Sequence, residues 1–121
     1  MLKVDLEYES KILFIRLNGN LDKRKTYKIT SYIVPLLKKH KITKVIINLK
    51  KLKSIDSCGL TSVLRVRERV HKNKGLFYIC EASDLIKKEL KKIHLSSLSS
   101  EYLAKNKIRG ELNELWEYFK R

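Results

Sequence analysis

Apolar and polar residues alternate over the first eight positions, placing Val4, Leu6 and Tyr8 on one side of an extended chain. After Glu9-Ser10 a denser run, Ile12, Phe14, Ile15 and Leu17, predicts a second strand. Asn18-Gly19-Asn20 should end it, since both residue types tolerate positive φ. From about Thr26 to His40 the period becomes helical, with Ile29, Ile33, Leu36, Leu37 and His40 on one side. Pro35 falls inside that stretch, deletes a backbone hydrogen bond and predicts a kink.

Further along, Lys44 to Leu49 contains Val45-Ile46-Ile47, a continuous apolar run of the kind found in a strand covered on both faces. Lys50 to Ile55 then leads to Asp56-Ser57-Cys58-Gly59 and a second helix from about Cys58 to Lys72. Leu60, Val63, Leu64, Val66 and Val70 form its inner arc, and Arg67 falls in the middle of that arc. Asn73-Lys74-Gly75 should close the helix through a positive-φ residue. Leu76 to Cys80 predicts another buried strand, and Ser83 a cap for a helix carrying Ile86, Leu90 and Ile93. The serine-rich stretch from Ser96 to Ser100 leads to an expected short edge strand at Tyr102-Leu103-Ala104. A last helix is expected from about Ile108 to Phe119, grouping Ile108, Leu112, Leu115, Trp116 and Phe119, with Gly110 weakening its first turn. This order predicts one α/β domain over residues 1–121. It has a mostly parallel central sheet of four to five strands, an antiparallel N-terminal strand and about four helices.

The length suits a single core built without disulfides or metals. No apolar run approaches the roughly 18 residues needed to span a bilayer, and the N-terminus has no leader pattern, so a cytoplasmic protein is expected. Cys58 and Cys80 are too few for a disulfide framework, and His40, His71 and His94 are scattered, so no metal site is expected. The net charge of +15 calls for an acidic counterpart or else well-solvated faces. The excess is mostly lysine, 21 against 7 arginines, spread along the chain without a nucleic-acid motif, which argues against base reading.

Loops after the carboxyl ends of parallel strands gather on one edge, where ligands and partners bind. Three polar features should meet there: Asn20-Leu21-Asp22, Asp56-Ser57 and Glu81-Ala82-Ser83. Ser57 has two readings: an ordinary N-cap, or a phosphorylation site that uses the positive end of the helix dipole. No histidine lies near Cys58 in sequence, and neither a G-x-S-x-G elbow nor a glycine-rich phosphate loop is present, so catalysis is not expected.

Together Gly19-Asn20-Leu21-Asp22, the strand Lys44 to Leu49 and Ile55-Asp56-Ser57-Cys58-Gly59-Leu60 resemble a STAS domain, in particular the bacterial anti-sigma factor antagonists. The resemblance runs from about residue 9 to residue 95. It implies a non-enzymatic switch that needs no cofactor, binds an anti-sigma factor, often a serine kinase, when unphosphorylated, and is reset by a serine phosphatase. Ser57 would be the phosphorylated residue, and Asp22, Asp56, Ser57, Cys58 and Gly59 the partner-binding edge. Asn48 stands where that family often has aspartate, and the strong basicity departs from its usual acidic or neutral character. Lys23, Arg24, Lys25, Lys50, Lys51 and Lys53 are candidates for a basic surface beside the edge. The alternatives are a STAS-like subunit of a lipid-transport or stress-sensing assembly, with Ser57 only a cap, and a general binder of nucleic acid or anionic surfaces.

Overall fold

The computed structural model of the chain describes residues 1–120, with side chains through Gly110. Its strands are β1 (Leu2–Glu9), β2 (Ile12–Leu21), β3 (Lys44–Ile55) and β4 (Leu76–Cys80), lying in the order β1-β2-β3-β4 across one sheet. β1 is antiparallel to β2, while β2, β3 and β4 are mutually parallel. Parallel neighbours require crossovers. A π-helical stretch, Lys28–Ile33, running into α1 (Val34–Lys39) makes the first, and α2 (Ser57–Lys72) the second; α3 (Asp84–Lys91) and α4 (Glu101–Lys120) follow. This is the α/β arrangement expected from the pattern, with one antiparallel strand at the N-terminal edge.

Alternation along the central strands sorts their side chains between two faces. Leu13, Ile15, Val45 and Ile47 point into the main core, against Ile29, Leu37, Val63, Val66 and Ile86 of the helical layer. Ile12, Phe14, Ile46 and Cys80 point the other way and meet Ala104 and Ile108 of α4. Coverage on both sides explains the unbroken run Val45-Ile46-Ile47.

A polar network fastens the start of α4 to the sheet. The Arg16 guanidinium donates to both carboxylate oxygens of Glu101, at 2.8 and 2.9 Å, and to Glu7 at 2.7 Å. The Asn48 side-chain amide donates to both Glu81 and Glu101, and its oxygen accepts from the Lys50 N–H at 2.8 Å. Aspartate at position 48 would place a third carboxylate here with no N–H to offer, so asparagine suits this network. The hydrogen bonds from Arg16 hold the Glu101 carboxyl below its ordinary value, and burial works against them.

Several elements differ from the sequence pattern for identifiable reasons. β2 does not end at Asn18-Gly19-Asn20. Gly19, at φ +115°, sits in a stretch of shifted register, and a Cβ there would lie 2.0 Å from the Met1 carbonyl oxygen. The prolonged β2 carries β3 with it as far as Ile55, with Leu52 and Ile55 buried. Around Pro35 the helix is not simply kinked; it enters α1 from a π-helical stretch in which Val34 N–H bonds to the Ile29 carbonyl. At the end of α2 the expected positive-φ residue within Asn73-Lys74-Gly75 is Lys74 (61°). Gly75 is required instead by close approach, since a Cβ would lie 2.0 Å from the Thr43 carbonyl oxygen.

Arg67 and Leu64 lie half-buried at the flank of α2, whereas Ser62 is buried and donates to the Gly59 carbonyl at 2.7 Å. Leu6 and Tyr8 are exposed, separated from Leu36, His40 and Ile42 by a hollow of about 400 Å³. Tyr102-Leu103-Ala104 is not an edge strand. Ser100 accepts from the Leu103 N–H and starts α4 at Glu101, and the strand-like contact is a single bridge between Leu98 and Cys80. The expected face at Leu112, Leu115, Trp116 and Phe119 lies outside the described residues.

Because the folded-state pKa of Glu101 is lowered, its pairing stabilises the fold above the ordinary carboxylate range and is lost as pH falls through the folded value. Between pH 7 and about pH 3, across the carboxylate range, the urea midpoint of the wild type is therefore expected to fall further than that of Glu101→Gln. Equal falls would contradict this role for the pair.

Candidate functional site at the start of the second helix

The carboxyl ends of β2 and β3 are adjacent, with Leu21 paired to Ile55, so the two chains leave the sheet side by side. The Asp56 N–H reaches the Leu21 carbonyl at 3.3 Å. The Asp56 side chain then makes two bonds in different directions. Oδ1 accepts from Gly59 N–H at 2.8 Å and caps α2; Oδ2 accepts from Lys23 N–H at 2.9 Å and holds the loop after β2. The bond from Gly59 leads the causes that hold the Asp56 carboxyl below its ordinary value, with the Lys23 N–H adding to it, so Asp56 is ionised at neutral pH.

Gly59 is fixed by the same junction. A Cβ there would lie 2.3 Å from the Leu21 carbonyl oxygen and 2.7 Å from Ile55 Cγ1, so only glycine lets the first turn of α2 rest on the end of β2. Asp22 folds its own loop: its side chain accepts from the Arg24 N–H at 2.9 Å, and its carbonyl from the Lys25 and Thr26 N–H groups. Ser54 Oγ donates to Asn20 Oδ1 at 2.7 Å, adding a second tie between the two strand ends.

Asp56, rather than Ser57, is the N-cap. Ser57 is the first residue of the helix; it is exposed, and its hydroxyl has no hydrogen-bond partner among the described residues. Cys58 is half-buried beneath the turn. The structure thus brings Asp22, Asp56, Ser57, Cys58 and Gly59 into one junction, together with the exposed Lys23 and Arg24 and the half-buried Lys25.

Other expected members lie elsewhere. Glu81 turns to the Asn48–Glu101 network on the α4 side of the sheet, and Ser83 caps α3 through the Ile86 N–H. Lys50 and Lys51 line a small hollow with Asp5, Arg16 and Asn48, and Lys53 is exposed on β3. Cys80, Glu81 and Glu101 bring three potential metal ligands within 4.8 Å of one another. Burial pushes the Cys80 thiol up to about 12, while Arg16 and Asn48 already occupy the Glu101 carboxylate. What the pattern did not single out is a groove beside the junction, between the Lys28–Ile33 stretch and α2. The spacing Thr61, Arg65, Arg69, every fourth residue of one helix, is its sequence signal.

A family model for the STAS domain matches residues 3–113. The chain belongs to the STAS domain family. Among curated proteins it is similar to an anti-sigma F factor antagonist of Paenibacillus polymyxa, 22% identical over 82 residues that span 68% of this chain and 70% of that one. Among solved structures it is similar to the anti-sigma factor antagonist SpoIIAA in its unphosphorylated form, with a TM-score of 0.72, 23% identity, and coverage of 89% of this chain and 99% of that one. SpoIIAA of Bacillus in the phosphorylated form gives 0.70, at 21% identity over 86% of this chain and 98% of that one. An anti-sigma factor antagonist from Thermotoga maritima described as putative gives 0.80, with 13% identity over 88% of this chain and 94% of that one. These relatives are described as anti-sigma factor antagonists, and no helix among the described residues of this STAS domain is long and apolar enough to cross a membrane.

The junction has a direct mutational signature. Asp56→Ala removes the cap of α2 and is expected to lower stability by about 1 kcal/mol. Gly59→Ala, facing a backbone carbonyl, should cost more, about 2–4 kcal/mol. Urea unfolding of the two variants checks this ranking, and a Gly59→Ala protein as stable as wild type would contradict the close approach.

Proposed function

We propose that this STAS domain is an anti-sigma factor antagonist-type switch. It acts in the cytoplasm, has no catalytic residue of its own, binds a serine-kinase anti-sigma factor when Ser57 is unmodified, and is released when Ser57 is phosphorylated. The observation that carries this reading is the division of labour at the junction. Asp56 supplies the cap, while the Ser57 hydroxyl is exposed and unbonded among the described residues. Transfer of the γ-phosphoryl of ATP to Ser57 Oγ, with loss of the hydroxyl proton and departure of ADP, then breaks no hydrogen bond that the fold uses. A phosphatase reverses it by hydrolysis.

The product is an electrostatic change more than a conformational one. A phosphoserine adds about −1.5 to −2 charge at neutral pH. The helix dipole at the first turn favours it there, but it stands beside the ionised Asp56, which already takes the Gly59 N–H, on an exposed surface. A partner fitted to the neutral hydroxyl meets a desolvated dianion instead. The cost is several kcal/mol, or a factor of 100 or more in affinity on the scale of about 1.4 kcal/mol per tenfold.

The test uses the purified serine-kinase anti-sigma factors encoded in the same genome, titrated calorimetrically with wild type, Ser57→Ala and Ser57→Asp. Wild type and Ser57→Ala are expected to bind one of them. Ser57→Asp should bind at least about 100-fold more weakly while melting at an unchanged temperature. Equal binding by Ser57→Asp, or no binding of wild type to any of these kinases, overturns the proposal.

A further inference from the structure

We infer that the groove between the Lys28–Ile33 stretch and α2 is a docking channel for an acidic helix of the protein partner, and that it begins at Cys58, the residue next to Ser57. The inference rests on the switch reading above and adds the chemistry of what is bound. The groove has a volume of about 530 Å³, with Thr26, Thr30 and Val34 on one wall and α2 on the other. Its charge is one-sided: Arg65, Arg69 and Lys72 line it against a single carboxylate, Glu68, which pairs with Lys72 at 3.0 Å. Arg65 makes no hydrogen bond or ion pair among the described residues. Arg69 donates from Nη2 to Asn73 at 3.2 Å, but its Nε is buried without a partner. Arg65 thus keeps its N–H donors for an incoming acceptor, and Arg69 carries a charge that no ion pair neutralises among the described residues.

The polar hydroxyls of the groove do not compete for the same ligand. Thr26, Thr30, Thr61 and Ser62 each donate to a backbone carbonyl, at 3.3, 3.2, 3.0 and 2.7 Å respectively. Their protons are committed, so these residues offer the groove methyl groups and lone pairs but no donors. A free phosphate or a nucleotide would therefore find donors along one rim only. A helix bearing carboxylates on one stripe and small apolar residues beside it meets both walls. Arg65, Arg69 and Lys72 recur at i, i+4 and i+7, a span of about 10 Å along the axis. Acidic residues at the same spacing on the incoming helix match it.

Ser57 is two helical turns, about 12 Å, before Arg65 on α2. A phosphate there is too far from Arg65 to be neutralised by it directly, but it lies within about one Debye length of a carboxylate that the incoming helix carries opposite Thr61, one turn from Ser57. Release then follows from repulsion between the phosphoserine and the partner's carboxylates. This use of charge also draws on the chain's net charge of +15.

The experiment is a titration of ¹⁵N-labelled protein with a synthetic helical peptide carrying Glu at i, i+4 and i+7, alongside a Lys-substituted control peptide, inorganic phosphate and ATP. Amide shifts confined to Thr26, Thr30, Thr61, Arg65 and Arg69, produced by the acidic peptide and lost in the exposed-residue variant Arg65→Glu, are the expected result. Absence of groove shifts at millimolar peptide overturns the inference. So do equal shifts with phosphate or ATP, or shifts spread over the lysines of α3. Ser57→Asp is titrated in parallel and should weaken the peptide severalfold. Groove binding unaffected by Ser57→Asp would sink the repulsion step while leaving the channel. Kinase binding that depends on Ser57 but ignores Arg65→Glu would sink the channel while leaving the switch.

Discussion

The Asp56 carboxylate joins three parts of the chain that the sheet alone leaves loose. One oxygen fixes the first turn of α2 and the other fixes the loop after β2, while the backbone N–H beside it reaches the last carbonyl of that strand. Two further features depend on this clamp. Gly59 can sit against the Leu21 carbonyl only while α2 starts where Asp56 starts it. Ser57, one residue later, is freed from any capping role. The most tightly fixed residue of the site therefore adjoins the one that is chemically most available.

That juxtaposition gives a physical basis for a switch without a moving part. A phosphate arriving on a capping residue would have to replace a bond holding the helix, and the fold would respond. On Ser57 it only adds charge, next to a carboxylate that backbone donors keep ionised. The rest of the fold is arranged so that this surface stays open. The helical layer packs on one face of the sheet and α4 on the other, and the Arg16–Asn48–Glu101 network anchors α4 away from the junction.

Much of this was legible in the chain because burial leaves a periodic record. The order of strands and helices along the chain and the two-sided burial of Val45 to Ile47 follow from apolar spacing, and the Ser83 cap from residue type. What escaped is what periodicity does not encode. Gly19 looks like a terminator locally, and only its approach to Met1 reveals a bulge within a longer strand. Within Asn73-Lys74-Gly75 the pattern does not say which residue takes the positive φ; Lys74 takes it, and the Thr43 carbonyl decides that Gly75 must lack a Cβ. At the site, Asp56 and Ser57 are both good caps by type, and the choice between them rests on a bond to Lys23 thirty-three residues upstream. Glu81 was expected at the same edge, but Asn48 and Glu101 hold it on the far face.

The central claim, that Ser57 carries a reversible phosphate, is tested most directly on the protein isolated from its own cells. Intact mass and phosphosite mapping, before and after phosphatase treatment, read it without any assumption about the partner. A phosphatase-sensitive adduct of one phosphate, located on Ser57 and varying with growth or stress, is the result expected. Protein unmodified at Ser57 under all those conditions, or phosphorylated only elsewhere, would contradict the switch and leave Ser57 as an exposed first residue of a helix whose cap is Asp56.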